Sequence, residues 1–152
     1  MSMPATPEQA HFVFTEWHRL VSARDGNGLA ALYTDDAELE SPLVPRVIDG
    51  AADGVVRGRA ALDAFLAYVT ASRPGQEELP SLHRTGDYLF DGNTLIWEYP
   101  RRTPSGNQLD LVEVMELDGS RIRRHRIYWG WRGTEHIIAN AVAKATAGAS
   151  AG

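Results

Sequence analysis

Three turn sequences in the second half of the chain constrain its fold more than any other feature. They are Asp91-Gly92-Asn93, Pro104-Ser105-Gly106-Asn107 and Asp118-Gly119-Ser120, and each carries residues that hairpin turns prefer. The segments around them read as strands, so the turns divide residues 81–131 into four consecutive strands. The spacing therefore predicts an antiparallel meander.

The N-terminal part of the chain has a helical period instead. Thr6 can cap a helix, Pro7 suits the first turn, and Gln9 stands where a capping box needs Glu or Gln. Apolar residues then recur on one helical face: Ala10, Val13, Phe14, Trp17, Leu20 and Val21. This pattern predicts a first helix that packs against a core.

Two further helices are expected before the meander. A short one runs from about Leu29 to Tyr33, and another follows Gly58 and ends at Arg73-Pro74-Gly75. Residues 37–42 read as a strand, and residues 43–58, which hold several glycines and prolines, read as a long loop. Helices followed by antiparallel strands predict an α+β fold, with three N-terminal helices packed on a strongly bent, mainly antiparallel sheet.

We expect a single domain over residues 1–152. Residues 1–6 and about 146–152 are predicted to be flexible, and the alanine-rich stretch from Thr134 is predicted to be a last helix that frays.

Composition excludes several classes of function. The 20 acidic residues outnumber the 15 basic ones, and the net charge of −5 argues against a nucleic-acid partner. The absence of cysteine excludes disulfides and thiolate chemistry. No signal peptide or membrane-spanning stretch is recognisable, so a cytoplasmic protein is expected. We also expect neither a metal nor a nucleotide cofactor, since no ligand spacing or phosphate-binding glycine loop occurs.

Several short motifs occur in an order that resembles a known superfamily. They are Leu32-Tyr33, Asp35-Asp36-Ala37, Glu40-Ser41-Pro42, Gly58-Arg59 and Ile127-Tyr128-Trp129. Over about residues 8–132 the chain resembles the nuclear transport factor 2-like superfamily, and within it the SnoaL-like proteins and ketosteroid isomerase. The resemblance implies a cone-shaped roll, in which the bent sheet wraps an apolar pocket closed by helices. It leaves the function open, because this fold carries isomerases, cyclases, epoxide hydrolases and non-enzymes.

The resemblance to ketosteroid isomerase implies roles for particular positions. That family's general base stands directly before the proline of the first strand, where this chain has Ser41, and its oxyanion tyrosine corresponds to Trp17. Its protonated aspartic acid corresponds to Glu113, and its pocket tryptophan to Trp129. Isomerisation by the family's own route is therefore not expected. Epoxide hydrolysis is not expected either, since one of its aspartates falls at or near Ile127.

Strand alternation suggests a substitute for the missing base. With Glu113 and Trp129 facing the pocket, alternation brings further residues to the same face: Leu111, Met115, His125 and Ile127. A three-residue turn at 118–120 would place Glu113 directly opposite His125. We predict that this carboxylate and imidazole form an acid/base unit, with Trp17 and Ser41 donating hydrogen bonds to a developing oxyanion. A purely structural pair, or no contact at all, stays open.

Aromatic side chains are predicted to form the walls of the pocket. The predicted substrate-binding residues are Phe65, Tyr68, Trp97, Tyr99, Leu111, Met115, Ile127 and Trp129. Such walls suit a flat or polycyclic apolar molecule. Arg101, at the mouth, either meets a carboxylate or faces solvent.

The preferred function is a small-molecule enzyme doing cofactor-independent acid/base chemistry, as an isomerase, cyclase or hydratase, on an apolar polyketide- or terpene-like substrate. The alternatives are a non-catalytic small-ligand-binding protein and a dimerisation module. A homodimer is expected through the outer face of the sheet, which would carry Val112, Val114, Arg124, Arg126 and Tyr128.

Overall fold

The computed structural model describes residues 3–72, 87–102 and 108–150, without the side chains of residues 99–102, 108–110, 136, 140 and 144. Its helices are α1 (Pro7–Ala23), α2 (Gly26–Ala31), α3 (Val44–Val47), α4 (Arg59–Ala71) and α5 (Trp131–Ser150). Its strands are β1 (Tyr33–Glu40), β2 (Val55–Arg57), β3 (Leu89–Phe90), β4 (Thr94–Arg102), β5 (Gln108–Asp118) and β6 (Arg121–Trp129). No helix among these residues is both long and apolar enough to cross a membrane.

The six strands form one curled, unclosed sheet in the order β2-β1-β6-β5-β4-β3. All neighbouring pairs are antiparallel except β1 and β6, which run parallel. The predicted α+β class and mainly antiparallel sheet are therefore confirmed. Helix α4 packs against β1 and α2, and α1 contacts α2, so these helices cover the concave face of the sheet.

Two of the three predicted turns lie in the described residues and connect strands as expected. At the first, the Asp91 carboxylate accepts hydrogen bonds from the backbone N–H groups of Asn93 and Thr94. At the last, Gly119 has a φ of 57°, in the left-handed region that glycine adopts at little cost. The turn at 104–107 and the start of the first predicted strand, residues 81–86, lie outside the described part of the chain.

The start of α1 also follows the prediction. The Thr6 hydroxyl accepts from the N–H of Gln9, and the Gln9 side chain accepts from the N–H of Thr6, which completes the capping box.

The boundaries between residues 25 and 58 differ from the prediction. The second helix is Gly26–Ala31, not Leu29–Tyr33, because the Asp25 carboxylate caps it by accepting from the N–H of Gly28. Tyr33 therefore begins strand β1, which the sequence placed at 37–42. The predicted loop 43–58 contains the short helix α3 and the edge strand β2.

The pairing of β5 with β6 also differs from the prediction. Glu113 pairs with Ile127, while His125 pairs with Met115, so the strands are offset by two residues from the expected register. Gly119 and Ser120 form a two-residue turn, and an irregularity between Glu116 and Leu117 adds the second residue of offset. Because the offset is even, the predicted side chains still share one face.

Candidate active site

Three buried side chains form one hydrogen-bonded chain on the concave face of the sheet. The Tyr33 hydroxyl lies 2.8 Å from Nδ1 of His125, and Nε2 of His125 lies 2.5 Å from Oε2 of Glu113. Tyr33 is 0% exposed, and Glu113 and His125 are each 1% exposed. Three polar groups thus lie almost out of contact with water, where hydrogen-bond partners are needed to offset desolvation.

The same two hydrogen bonds are compatible with two protonation states of the three residues. With Glu113 as a carboxylate, Nε2–H of His125 donates to it, and the Tyr33 hydroxyl donates to Nδ1. With one more proton, the Glu113 carboxyl donates to Nε2, Nδ1–H donates to the Tyr33 oxygen, and the Tyr33 hydrogen is directed elsewhere. The hydrogen-bonded chain of Tyr33, His125 and Glu113 can therefore bind or release one proton without breaking either hydrogen bond.

Neighbouring strands hold the three residues in place. His125 lies on β6 between its partners Leu39 on β1 and Met115 on β5. The contact between Glu113 and His125 runs diagonally across the β5–β6 pair, a separation that long side chains can span. Each group of the chain therefore stands on a rigid strand.

Arg59, at the start of α4, fixes the beginning of β1. Its guanidinium donates to the backbone oxygens of Ala30 and Tyr33, and also to Oδ1 of Asp35 at 3.0 Å. The guanidinium is planar and has several N–H donors, so Arg59 links α2, β1 and α4 close to Tyr33.

A cavity of about 40 Å³ lies against this chain. All three members of the hydrogen-bonded chain line it. Other lining residues are Trp17, Leu29, Leu39, Ser41, Phe65, Leu111, Ile127 and Trp129. The walls are predominantly apolar, and the polar side chains among them, besides the hydrogen-bonded chain, are Ser41 and Thr70. Such an arrangement is typical of small-molecule sites, although the volume lies well below their usual range of about 300–1,000 Å³.

Ser41 lies between this cavity and a wider groove outside it. The groove measures about 380 Å³ and shares Ser41, Ile127 and Trp129 with the inner cavity. Ser41 is 2% exposed, and its Oγ accepts a hydrogen bond from the N–H of Leu43 at 3.3 Å. The hydroxyl hydrogen therefore remains available to donate.

Eight of the twelve predicted site residues line the inner cavity, three lie elsewhere, and the side chain of Tyr99 lies outside the described part of the structure. Trp97 is buried but packs against α1, with ring centroids 5.2 Å from Phe14 and 5.3 Å from Trp17. It fills the core between sheet and helix and is not among the residues that line this cavity with Trp17 and Trp129. Met115 is fully buried at the His125 pairing position and does not line the cavity either.

Tyr68 and Tyr99 complete the comparison. Tyr68 is 55% exposed on α4, because its helix presents Phe65, Leu66 and Val69 to the cavity instead. Tyr99 lies on β4 opposite Leu111, and its side chain, like that of Arg101, lies outside the described part of the structure.

Sequence reasoning missed Tyr33. The sequence places it at the end of a helix, whereas the structure makes it the first residue of β1. The alternation of buried Ala37 and Leu39 stops at the exposed Asp35, and β1 changes register between Tyr33 and Glu38, so strand periodicity does not lead to the phenol.

No group of three or more metal-ligating side chains occurs within the residues that the structure describes.

The model of the SnoaL-like domain matches residues 14–125. A SnoaL-like protein of unknown function from Burkholderia thailandensis is 22% identical, with a TM-score of 0.59, over 84% of this chain and 99% of that one. A steroid delta-isomerase from Pseudomonas aeruginosa is 20% identical, with a TM-score of 0.59, over 99% and 100%. A nuclear transport factor 2-like protein of unknown function from Mesorhizobium loti is 14% identical, with a TM-score of 0.61, over 84% and 99%. No curated protein matches the chain. At these identities the likeness to solved structures establishes the fold alone.

Proposed function

The chain belongs to the SnoaL-like domain family, and from that premise we propose that it is a small-molecule enzyme that performs acid/base chemistry without a cofactor. The observation that carries the proposal is the buried hydrogen bond between Glu113 and His125 in the wall of an apolar cavity. The reaction is an isomerisation, cyclisation or hydration, each of which needs proton transfer at a defined place.

Glu113 and His125 supply the proton-exchanging unit of this proposal. Trp17 and Ser41 line the same cavity, and each carries a hydrogen-bond donor that can stabilise a developing oxyanion. In this proposal Ser41 occupies the position of the family's general base, and Glu113 on β5 with His125 on β6 takes over proton transfer.

The dimensions of the site restrict the substrate. A cavity of about 40 Å³ admits only a narrow reactive end, whereas the outer groove of about 380 Å³ can hold a larger body. We therefore propose an apolar polyketide- or terpene-like molecule whose reactive end passes Ser41 and Trp129. The outer groove is lined by Glu40, Asp53 and Arg126 as well as by Ile127 and Trp129, so the part of the molecule that lies there would carry polar groups.

A small β,γ-unsaturated cyclohexenone tests the proposal, because its double bond moves into conjugation when one proton is removed and returned. Ultraviolet absorbance follows the reaction, and tryptophan fluorescence follows binding through Trp17 and Trp129. We expect turnover above buffer, lowered about 10²–10⁴-fold by either Glu113→Gln or His125→Gln. The double variant should lose little more than either single one, since the two residues act as one unit. Ser41→Ala should have the smaller effect of one lost hydrogen bond.

Glu38→Gln is the matched control, because Glu38 lies on β1 with its carboxylate directed to Arg57, away from the cavity. Equal turnover in Glu113→Gln and Glu38→Gln would contradict the proposal. Cyclohexenone that binds without reacting in the wild type would favour the alternative of a non-catalytic binding protein. The specific observation behind that alternative is that the Tyr33–His125–Glu113 contacts already satisfy both nitrogens of the imidazole within the protein.

We also propose a homodimer that uses the outer face of β5 and β6. Val112 and Val114 are half-buried there, and Tyr128 is 52% exposed. Sedimentation equilibrium should show a dimer that Tyr128→Glu weakens, and a monomer at every concentration would refute it.

A further inference from the structure

The geometry points to Tyr33, not His125, as the residue that exchanges a proton directly with the ligand. This inference rests on the acid/base function proposed above and changes which atom touches the ligand. His125 has two ring nitrogens, and both are engaged: Nδ1 with the Tyr33 hydroxyl and Nε2 with Glu113. An imidazole held at both nitrogens has neither a lone pair nor an N–H left for a ligand.

The phenol differs from the imidazole in this respect. A hydroxyl oxygen has one hydrogen and two lone pairs, so Tyr33 can donate to Nδ1 and still accept from a molecule in the cavity that it lines. His125 is then a positioning residue that passes protons between Tyr33 and Glu113. Tyr33 is the catalytic residue at the cavity end of the relay.

The proton transfer balances through three coupled shifts. A ligand carbon next to a carbonyl gives its proton to the Tyr33 oxygen, and the electron pair of the broken C–H bond stays on the ligand as an enolate. The original Tyr33 hydrogen moves to Nδ1, and the hydrogen of Nε2 moves to the Glu113 carboxylate. Negative charge thus passes from Glu113 to the ligand, and no net charge accumulates on His125.

The reverse shifts complete an isomerisation. The new Tyr33 hydroxyl, within reach of the enolate, gives its proton to the γ carbon of the ligand. Nδ1 returns a hydrogen to the Tyr33 oxygen, and Glu113 returns one to Nε2. The relay regains its starting state, and no oxidant, reductant or second substrate takes part.

The first test uses the β,γ-unsaturated cyclohexenone with Tyr33→Phe, which keeps the ring and removes only the oxygen. We expect kcat to fall about 10²–10⁴-fold, as for loss of a general acid–base group, with KM nearly unchanged. Tyr68→Phe is the matched control, because Tyr68 is 55% exposed and does not line the cavity. Full kcat in Tyr33→Phe together with a large loss in Glu113→Gln would overturn this inference and leave the proposed function standing. No loss in either variant would overturn both.

The second test needs no turnover and no variant of Tyr33. Nitrogen-15 chemical shifts of the histidine rings distinguish a protonated from an unprotonated nitrogen, and His125→Gln identifies which of the five histidines gives each signal. The relay requires that, without ligand, Nε2 of His125 carries the hydrogen and Nδ1 accepts from Tyr33. A hydrogen on Nδ1 in the ligand-free protein would overturn the inference, because the Tyr33 hydrogen would then have no place to move.

Discussion

Replacing Tyr33 with phenylalanine should reveal how much the buried polar chain contributes to stability. The change removes one oxygen from a fully buried side chain and preserves its volume, so no large cavity forms. It leaves Nδ1 of His125, itself in a residue only 1% exposed, without the hydroxyl that lies 2.8 Å away. A buried group that loses its hydrogen-bond partner costs about 1–3 kcal/mol. In a domain of this size, that corresponds to a Tm lowered by about 2–12 °C.

Equilibrium urea unfolding measures this cost, with an unchanged m-value showing that only stability has altered. Tyr68→Phe removes the same oxygen from a 55% exposed residue and should change stability by less than about 0.5 kcal/mol. Equal costs at the two tyrosines would refute the reasoning.

A double-mutant cycle tests the chain as a unit. His125→Leu leaves Glu113 without its imidazole partner, 2.5 Å away, and should cost about 3–5 kcal/mol if the carboxylate stays charged. In that background Tyr33→Phe should cost less than in the wild type, because the hydrogen bond between the phenol and the imidazole is already absent. Additive costs would show that the phenol and the imidazole do not stabilise each other.

Three further outcomes follow from local geometry. Gly133→Ala should destabilise the protein and shift the Trp129 fluorescence, because a Cβ at position 133 would overlap the Trp129 indole. Gly148→Ala is the control: the space around Gly148 is open, so this change should be neutral or slightly stabilising. Ligand binding should quench Trp129 but not Trp97, so Trp97→Phe should retain the fluorescence response and Trp129→Phe should lose most of it. Hydrogen bonds from the backbone of Thr94 and then Asn93 lower the pKa of Asp91. A lowered pKa means that this carboxylate stabilises the fold above its unfolded pKa and loses the effect as pH falls through the folded value. The protection of the turn amides, measured as exchange relative to the intrinsic rate at each pH, should therefore fall in acid, and Asp91→Asn should abolish that dependence.

Local signals in the sequence were sufficient for the elements whose causes are local. The capping box at Thr6 involves residues three apart, and the Asp91 turn is closed by its own carboxylate. Both interactions join residues that are close in the sequence, so residue types alone predict them. The alternation of buried residues along β5, from Leu111 to Leu117, is likewise a property of the strand itself.

The register of β5 on β6 depended on more than the turn. Taken alone, the two-residue turn at Gly119 and Ser120 would have moved His125 to the opposite face from Glu113. The irregularity next to Glu116 restores the face, and it lies where β6 must also pair in parallel with β1. Nothing within the hairpin sequence specifies that compensation.

Residue types also could not distinguish a tryptophan that fills the core from one that lines the cavity. Trp17, Trp97 and Trp129 are alike in sequence terms, yet Trp97 packs on Phe14 while the other two line the cavity. The difference arises because Trp97 on β4 stands against the aromatic side chains of α1, whereas Trp129 on β6 stands beside the cavity.

The sequence by itself determined the fold class, the order of the strands in the meander and the family, because periodicity, turn chemistry and short motifs act over a few residues. Only the tertiary structure decided that Glu113 and His125 share one face and meet, that Tyr33 completes their chain, and that the space beside them is about 40 Å³. These features join β1, β5 and β6, whose residues lie up to 92 positions apart, so they depend on how the whole sheet curls against its helices.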